Sequence, residues 1–235
     1  MATSSDFAWF KTTFGAKIAP AIHGTPFTID MLAAIACQET GDVWVPLRRQ
    51  GMAVAEILRL CVGDTIDAKP GGGGRQAFPR TKKQLVAHQP NGQQMFDVAR
   101  QALVDMAAHI HGYGAVAANP DKFCHAFGIF QYDLQFFDLD QAYFMSGGYA
   151  DFDKTLAKWV MELKDAAARL HLPLNTPLTD AQIASIAIAY NTGGYDPKKG
   201  LKQGYKDSEG HYYGENFMTY LLMSRTAAGP VAAAA

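Results

Sequence analysis

A glutamate ends an apolar run in the stretch LAAIACQETGDVW, which extends from Leu32 to Trp44. In an α-helix, Glu39 would lie on the same face as Leu32 and Ile35. A carboxylate on such a face must be paired, protonated or used in chemistry, because burying an unpaired charge is costly. Apolar surroundings also raise the pKa of a carboxyl group, so that it can hold a proton near neutral pH. The pattern is compatible with a general acid at Glu39.

The same pattern also fits a glutamate with a purely structural role. The oxygens of Glu39 could accept backbone N–H bonds, or they could pair with Arg48 or Arg49 further along the chain. The choice between these interpretations depends on which other chemical groups the sequence offers.

Two later stretches, FGIFQYD and AIAYNTGGYDP, carry groups that suit a sugar ligand. In the first, Gly128 permits a close approach of the backbone, and Gln131 offers an amide that both donates and accepts. In the second, Tyr190 and Asn191 come at the end of a predicted helix and supply a ring and an amide. Such groups can bind a sugar that bears hydroxyl and N-acetyl substituents.

Taken in order, the three stretches resemble the signature of lytic transglycosylases and goose-type lysozymes. The matching motifs are Glu39-Thr40-Gly41, Gly128-Ile129-Phe130-Gln131 and Ala189-Tyr190-Asn191-Thr192-Gly193. The resemblance implies a mostly α, lysozyme-like helical fold with a substrate cleft between two lobes, and residues 1–235 forming a single catalytic domain. Phe130 stands where that family usually has methionine, and FCHAFG replaces the usual lead-in to the second motif.

The resemblance also implies an activity. The protein would cleave the β-1,4 bond between N-acetylmuramic acid and N-acetylglucosamine in peptidoglycan, with Glu39 as the general acid. Gln131 would bind the acetamido group beside Gly128, Tyr190 would position the acid, and Asn191 would line the cleft. The alternatives for Gln131, Tyr190 and Asn191 are a buried amide held by the backbone, a core aromatic residue and a helix-end cap.

A second catalytic carboxylate is not assigned by the sequence. Glycosidases normally use two, and the candidates are Asp42, Asp64, Asp67 and Asp133. Each is equally explained as a cap or a solvated loop acid. Lytic transglycosylases use one glutamate, with assistance from the N-acetyl group of the substrate and with the 6-hydroxyl of the sugar replacing water. Hydrolysis and formation of an anhydro sugar therefore both stay open.

Helical periodicity dominates the rest of the sequence. A first helix is expected to end at Thr40-Gly41, where Gly41 suits the position after a helix. Thr179, with Gln182 three residues later, predicts a capping box, and Gly193 would end that helix. Apolar residues at helical spacing mark further helices in the ranges 54–61, 96–110 and 156–170. Strand-like alternation is scarce, so we expect a mostly helical protein.

The region 63–93 is expected to be a loop-rich insertion. It contains four consecutive glycines, Gly71 to Gly74, but the Lys-Ser/Thr pair of a phosphate loop is missing and no strand precedes them. We therefore expect a mobile loop, which could form one lip of a cleft. The alanine-rich residues 227–235 are expected to fray.

Composition and charge exclude several classes of function. With a formal net charge of −1, the chain has no basic surplus for nucleic-acid binding. Its three cysteines form no CxxC pair and are expected to be reduced core thiols, with one disulfide possible after export. The histidines in HIHGYG and the Cys124-His125 pair lack partners at metal-ligand spacing, so neither a metal nor another cofactor is expected.

No apolar run approaches the roughly 20 residues that span a membrane, and the N-terminus lacks a signal-peptide core. We expect synthesis in the cytosol and action on the periplasmic cell wall after non-classical delivery, as a phage lysin or an antibacterial secretion-system effector. An effector would have a neutralising immunity protein as a partner. The competing functions are a glycosidase acting on chitosan or chitin and a non-catalytic wall-binding module.

Overall fold

The computed structural model describes residues 2–229 and is mostly helical, as the periodicity predicts. Its α-helices are α1 (Ser4–Ala21), α2 (Ile29–Arg49), α3 (Val54–Leu60), α4 (Lys82–Val86), α5 (Gly92–Ala107), α6 (Gly114–Ala118), α7 (Gln141–Met145), α8 (Phe152–Arg169), α9 (Asp180–Thr192) and α10 (Tyr213–Thr226). Short 3₁₀ turns lie at His111–Tyr113, Leu134–Phe136 and Gly148–Ala150. The prediction of a frayed end concerns residues 227–235, of which 230–235 lie outside the described residues.

The strands form one small antiparallel sheet in the order β1-β2-β3. They are β1 (Val62–Gly63), β2 (Ala126–Phe127) and β3 (Tyr132–Asp133). Val62 is paired with Phe127, which in turn is paired with Tyr132. Residues 128–131, the second of the three sequence motifs, therefore form the turn between β2 and β3.

The chain divides into two compact units. The first unit combines the residues up to Gly41 with those from Leu156 onward, and the second unit runs from Asp42 to Thr155. Both boundaries fall inside helices, in α2 and α8. The single catalytic domain expected for residues 1–235 stays a prediction.

The core of the first unit includes α1 and α10, two helices that we did not predict. In α1 the buried side chains are Phe7, Phe10, Phe14 and Ile18, at spacings of three and four residues. In α10, Tyr213, Phe217 and Leu221 are buried at intervals of four. Both patterns are visible in the sequence as apolar residues at helical spacing.

A buried lysine joins three segments of the first unit. Lys11 Nζ donates to Asp30 Oδ1 at 3.0 Å, to the Ser224 carbonyl at 2.7 Å and to the Ala227 carbonyl at 2.8 Å. The ammonium group therefore uses its three donors on three acceptors. These bonds connect α1 with the start of α2 and the end of α10.

The first motif helix is interrupted next to Gly41, as expected, but Gly41 does not have the predicted helix-ending conformation. Thr40 departs from helical geometry, with φ −138° and ψ 18°, but hydrogen-bonded turns resume and continue to Arg49. Gly41 is not among the residues with positive φ, so it does not adopt the left-handed conformation of a helix-ending glycine. The glycine instead fits a close contact, because a Cβ atom there would lie 3.0 Å from Cys37 Sγ.

The other predicted helices are confirmed as α3, α5, α8 and α9. The capping box of α9 is present: the Thr179 hydroxyl accepts from Gln182 N at 3.3 Å, and Gln182 Oε1 accepts from Thr179 N at 2.9 Å. Gly193 closes the helix with φ 82°. The three cysteines are buried, and the structure joins none of them in a disulfide. None of the helices in residues 2–229 is long and apolar enough to cross a membrane.

The insertion at 63–93, expected to be a mobile loop, is built around the buried side chain of Arg75. Its guanidinium donates to Asp64 Oδ2 at 2.9 Å and to both oxygens of Asp133 at 2.9 and 2.5 Å. It also donates to the carbonyl groups of Phe78 and Pro79 at 2.9 and 3.0 Å. All five guanidinium donors are used, so this side chain organises the segment and ties it to β3.

We expect Arg75→Met to destabilise the protein by about 3 kcal/mol, because removing one partner of a buried ion pair leaves the other without compensation. This value is at the low end of the usual range, since Asp64 and Asp133 are partly exposed. Urea unfolding of the variant measures the change. The matched control is Arg80→Met, an exposed arginine of the same loop, for which a change within ~0.5 kcal/mol is expected. Equal stability of the two variants would contradict this account of the insertion.

Candidate functional site

Glu39 lies in α2, one residue before the irregular Thr40, and is half-buried. The hydroxyl group of Tyr213, the first residue of α10, donates to Glu39 Oε1 at 2.7 Å. Tyr213 itself is only 2% exposed. Among the described residues, the partner of the Glu39 carboxyl group is therefore a neutral donor, the Tyr213 hydroxyl, and not Arg48 or Arg49.

Two opposing effects set the proton affinity of Glu39. Burial raises the pKa of its carboxyl group, and the hydrogen bond from Tyr213 lowers that pKa by a smaller amount, giving a value of about 7. Burial and the nearby Glu39 carboxylate both raise the pKa of the Tyr213 phenol, so this hydroxyl remains a donor. At neutral pH, Glu39 is accordingly poised between its protonated and ionised forms, as proton transfer requires.

A glycine allows the chain to place Tyr213 against Glu39. Gly204 has φ +83°, and a Cβ atom at this position would lie 2.5 Å from Tyr213 Cβ and 3.0 Å from Asn191 Oδ1. Any larger residue would displace one of the two side chains. The backbone N–H of Tyr213 is also fixed, because it donates to the Tyr205 carbonyl at 2.8 Å.

The loop between α9 and α10, residues 193–212, has its own internal hydrogen bonds. The side-chain amide of Gln203 accepts from Asp196 N at 2.8 Å and donates to the carbonyls of Asp196 and Gly200 at 2.9 and 2.6 Å. Near its other end, the carboxylate of Asp207 accepts from His211 N and from Asn216 Nδ2 at 2.9 and 2.7 Å. These bonds give the loop a defined shape, so it can hold Tyr213 in position.

The residues of the third motif lie in the same unit as Glu39 and close to Tyr213. The Tyr190 ring meets Trp159 edge to face, with centroids 6.4 Å apart, and its phenol contributes to the raised pKa of Tyr213. Asn191 is exposed and lies against Gly204. The structure thus groups Glu39, Tyr190 and Asn191 around Tyr213.

The residues of the second motif lie in the other unit and have contacts within their own turn. Gln131, with φ 56°, donates from its side-chain amide to the Gly128 carbonyl at 2.9 Å. Gly128 has φ 80°, and a Cβ atom there would lie 2.9 Å from both Thr155 and Tyr143. The close approach at Gly128 is therefore to these side chains. A role of Gln131 in binding an acetamido group stays a prediction.

Three of the four candidate second acids are paired with cations. Arg75 binds Asp64 and Asp133, and Lys122 binds Asp67 at 2.7 Å. The fourth, Asp42, is exposed, and the Tyr113 phenol hydrogen-bonds to its carboxylate. All four belong to the second unit.

Tyr213 is the site residue that the sequence analysis missed. It lies 174 residues after Glu39, and no local spacing connects the two positions. The available signal was indirect, since Tyr213 begins a helix whose apolar face continues through Phe217 and Leu221. Recognising that helix would have placed a buried tyrosine in the unit, but it would not have identified its partner.

Comparison with protein-family profiles, with curated proteins and with solved structures finds no match to this chain. Within residues 2–229, no group of three or more His, Cys, Asp or Glu side chains is placed to hold a metal ion. The interpretation of the site therefore depends on the chemistry of Glu39 and the residues around it.

The raised pKa of Glu39 predicts a specific pH dependence of stability. Between about pH 4.5 and 7 the unfolded chain releases the proton while the folded protein retains it, so the free energy of unfolding falls as pH rises. Above about pH 7 both states are ionised, and the loss is complete. Glu39→Gln removes this loss. The free energy of unfolding of the variant should therefore rise relative to that of the wild type by roughly 2 kcal/mol between these pH values, a figure reduced for solvent screening. Urea unfolding at pH 4, 5.5 and 7.5 measures the difference, and a constant difference would contradict the raised pKa.

Proposed function

We propose that this protein cleaves the β-1,4 bond between N-acetylmuramic acid and N-acetylglucosamine in peptidoglycan, with Glu39 as the general acid. The observation that carries the proposal is the half-buried Glu39 carboxyl group, with a pKa of about 7 and a bond from Tyr213. An ordinary surface glutamate is ionised at neutral pH and has no proton to give. The three-motif pattern of the sequence supports a glycan as the substrate.

In the first step, Glu39 gives its proton to the glycosidic oxygen as the bond to the anomeric carbon breaks. The leaving sugar departs as an alcohol, and Glu39 becomes a carboxylate. The Tyr213 hydroxyl then donates to a charged acceptor, and such a bond is stronger than the bond to the neutral acid. Tyr213 therefore stabilises the product of proton transfer.

The sugar-binding role in the first unit falls to Asn191 and Tyr190. Asn191 is exposed at the end of α9, where its amide can donate to and accept from a hydroxyl or acetamido group. Tyr190 is half-buried and presents a ring beside Tyr213. An amide and an aromatic ring supply the polar and apolar parts of a sugar site.

The second step requires a nucleophile at the anomeric carbon. We favour the 6-hydroxyl of the same sugar, because intramolecular attack has a large advantage over attack by a water molecule. The hydroxyl oxygen bonds to the anomeric carbon and its proton passes to the Glu39 carboxylate, which restores the acid. Attack by water instead would give an ordinary reducing end and would need a second carboxylate as the base.

The lysozyme-like arrangement, with a cleft between two lobes, belongs to the same proposal. Its support is the motif order together with the mostly helical architecture. Action on the cell wall follows from the proposed substrate, and a neutralising immunity protein would be the partner of an effector.

Purified peptidoglycan incubated with the wild type and with Glu39→Gln tests the proposal. The wild type should release muropeptides with anhydro ends, one water lighter than hydrolysed ends by mass spectrometry. Glu39→Gln should be at least ~100-fold slower, because the amide is close in shape but cannot donate the proton. Circular dichroism checks that the variant folds, and Glu209→Gln, an exposed glutamate of the same unit, is the matched control with unchanged activity.

The possible products separate the proposal from its competitors. Hydrated reducing ends would overturn the anhydro step while leaving Glu39 as the acid. Cleavage of chitosan or chitin without cleavage of peptidoglycan would replace the substrate. Binding to peptidoglycan with no products from the wild type would support a non-catalytic module, and an active Glu39→Gln variant would remove Glu39 from the mechanism.

We expect Tyr213→Phe to change the pH dependence of the reaction as well as its rate. Without the hydroxyl, the ionised form of Glu39 loses its donor, and the pKa of Glu39 rises above about 7. The decline of kcat/KM at alkaline pH should therefore move upward by about one pH unit. Tyr195→Phe, which removes a hydroxyl from the loop before α10, is the control. A lower rate with the same alkaline limb would show that Tyr213 is only structural.

A further inference from the structure

Tyr205 is an aromatic residue of the first unit whose side chain is exposed to solvent. Tyr205, in the loop between α9 and α10, is 67% exposed. Every other Phe, Tyr or Trp in residues 2–229 is buried or half-buried. An aromatic ring in solvent at this level offers apolar surface that a ligand can cover.

The backbone around Tyr205 is fixed on both sides. The Tyr205 carbonyl accepts from Tyr213 N at 2.8 Å, and the Gln203 carbonyl accepts from Gly214 N at 3.3 Å. Lys206 and Tyr212 form an antiparallel bridge, with Lys206 Nζ 5.3 Å from the centre of the Tyr212 ring. Tyr205 is therefore presented by an ordered segment, and binding a ligand would not require ordering the backbone first.

The pairing also places Tyr205 near the acid. Because Tyr213 N donates to the Tyr205 carbonyl at 2.8 Å, the backbones of these two residues are in direct contact. Paired strands lie about 5 Å apart, and the Tyr213 side chain reaches Glu39. The backbone of Tyr205 is thus on the order of 10 Å from the Glu39 carboxylate, within the length of a short oligosaccharide.

We propose that Tyr205 is a stacking residue for an N-acetylhexosamine unit of the glycan strand, at a position beyond the bond that is cleaved. This inference rests on the proposed function for the identity of the ligand. The C–H face of a sugar ring is apolar and carries partial positive charge, so it fits the electron-rich face of tyrosine. Covering the ring removes its apolar surface from water, and the phenol group stays at the edge, where it can hydrogen-bond to a sugar hydroxyl.

Stacking on Tyr205 would add a contact with the glycan beyond those made by the residues around Glu39. Binding energy from a sugar that does not react can be used to hold the scissile bond in place. The proposed consequence is a preference for long glycan chains over short ones, with Tyr205 determining the substrate length that the enzyme uses well.

Calorimetric titration with a hexamer of β-1,4-linked N-acetylglucosamine tests the proposal directly. The titrations use the Glu39→Gln protein, so that the ligand is not cleaved. Adding Tyr205→Ala should weaken binding roughly three- to tenfold, the range for one aromatic stacking contact. Tyr205→Phe, which keeps the ring, should bind within about twofold of the parent. Leu222→Ala removes another exposed apolar side chain of the same unit and should bind like the parent.

The outcomes separate this proposal from the proposed function. Equal affinity of Tyr205→Ala and the parent would overturn the stacking role, even if the wild type cleaves peptidoglycan. Binding that depends on Tyr205, with no cleavage of any glycan by the wild type, would support stacking and overturn the catalytic proposal. Failure of the parent to bind the hexamer would overturn the stacking role regardless of activity. Since the ring is exposed, the melting temperature of Tyr205→Ala should match that of the parent, so a folding defect would be visible separately.

Discussion

The hydrogen bond from Tyr213 to Glu39 is the interaction on which the proposed chemistry depends. Burial alone would favour the neutral carboxyl group, and an arginine in place of Tyr213 would favour the ionised form strongly. The neutral phenol of Tyr213 stabilises the ionised form only moderately, because it donates a hydrogen bond to the carboxylate without bringing a positive charge. The result is a carboxyl group with a pKa of about 7, which can both give and regain a proton.

The position of Tyr213 depends in turn on features that have no chemical role. Gly204 leaves the space between Tyr213 and Asn191, and the Tyr205 carbonyl fixes the first turn of α10. The second unit follows the same rule in a different form, since Arg75 holds its insertion together by using every donor it has. In the first unit Lys11 likewise uses all three of its donors, so in both units a buried cation helps to order the segments around it.

Local signals predicted the parts of the fold that depend on neighbouring residues. The capping box at Thr179 and the glycine at 193 defined α9, and the apolar face before Glu39 correctly indicated an unusual carboxylate. The helix is interrupted at Thr40, next to the predicted end, but the left-handed conformation predicted for Gly41 was wrong, because close packing against Cys37 explains that glycine. The partner of Glu39 could not be predicted, because a contact across 174 residues is set by the packing of α10 and leaves no spacing signal.

The proton affinity of Glu39 can be measured without a substrate. Carbon-13 NMR of the protein labelled at glutamate side-chain carboxyl groups, with the signal of Glu39 assigned by its loss in Glu39→Gln, gives the titration of this residue alone. The predicted midpoint is about pH 7. A midpoint near 4.5, the ordinary value for glutamate, would contradict it and would leave Glu39 without a proton to donate at neutral pH.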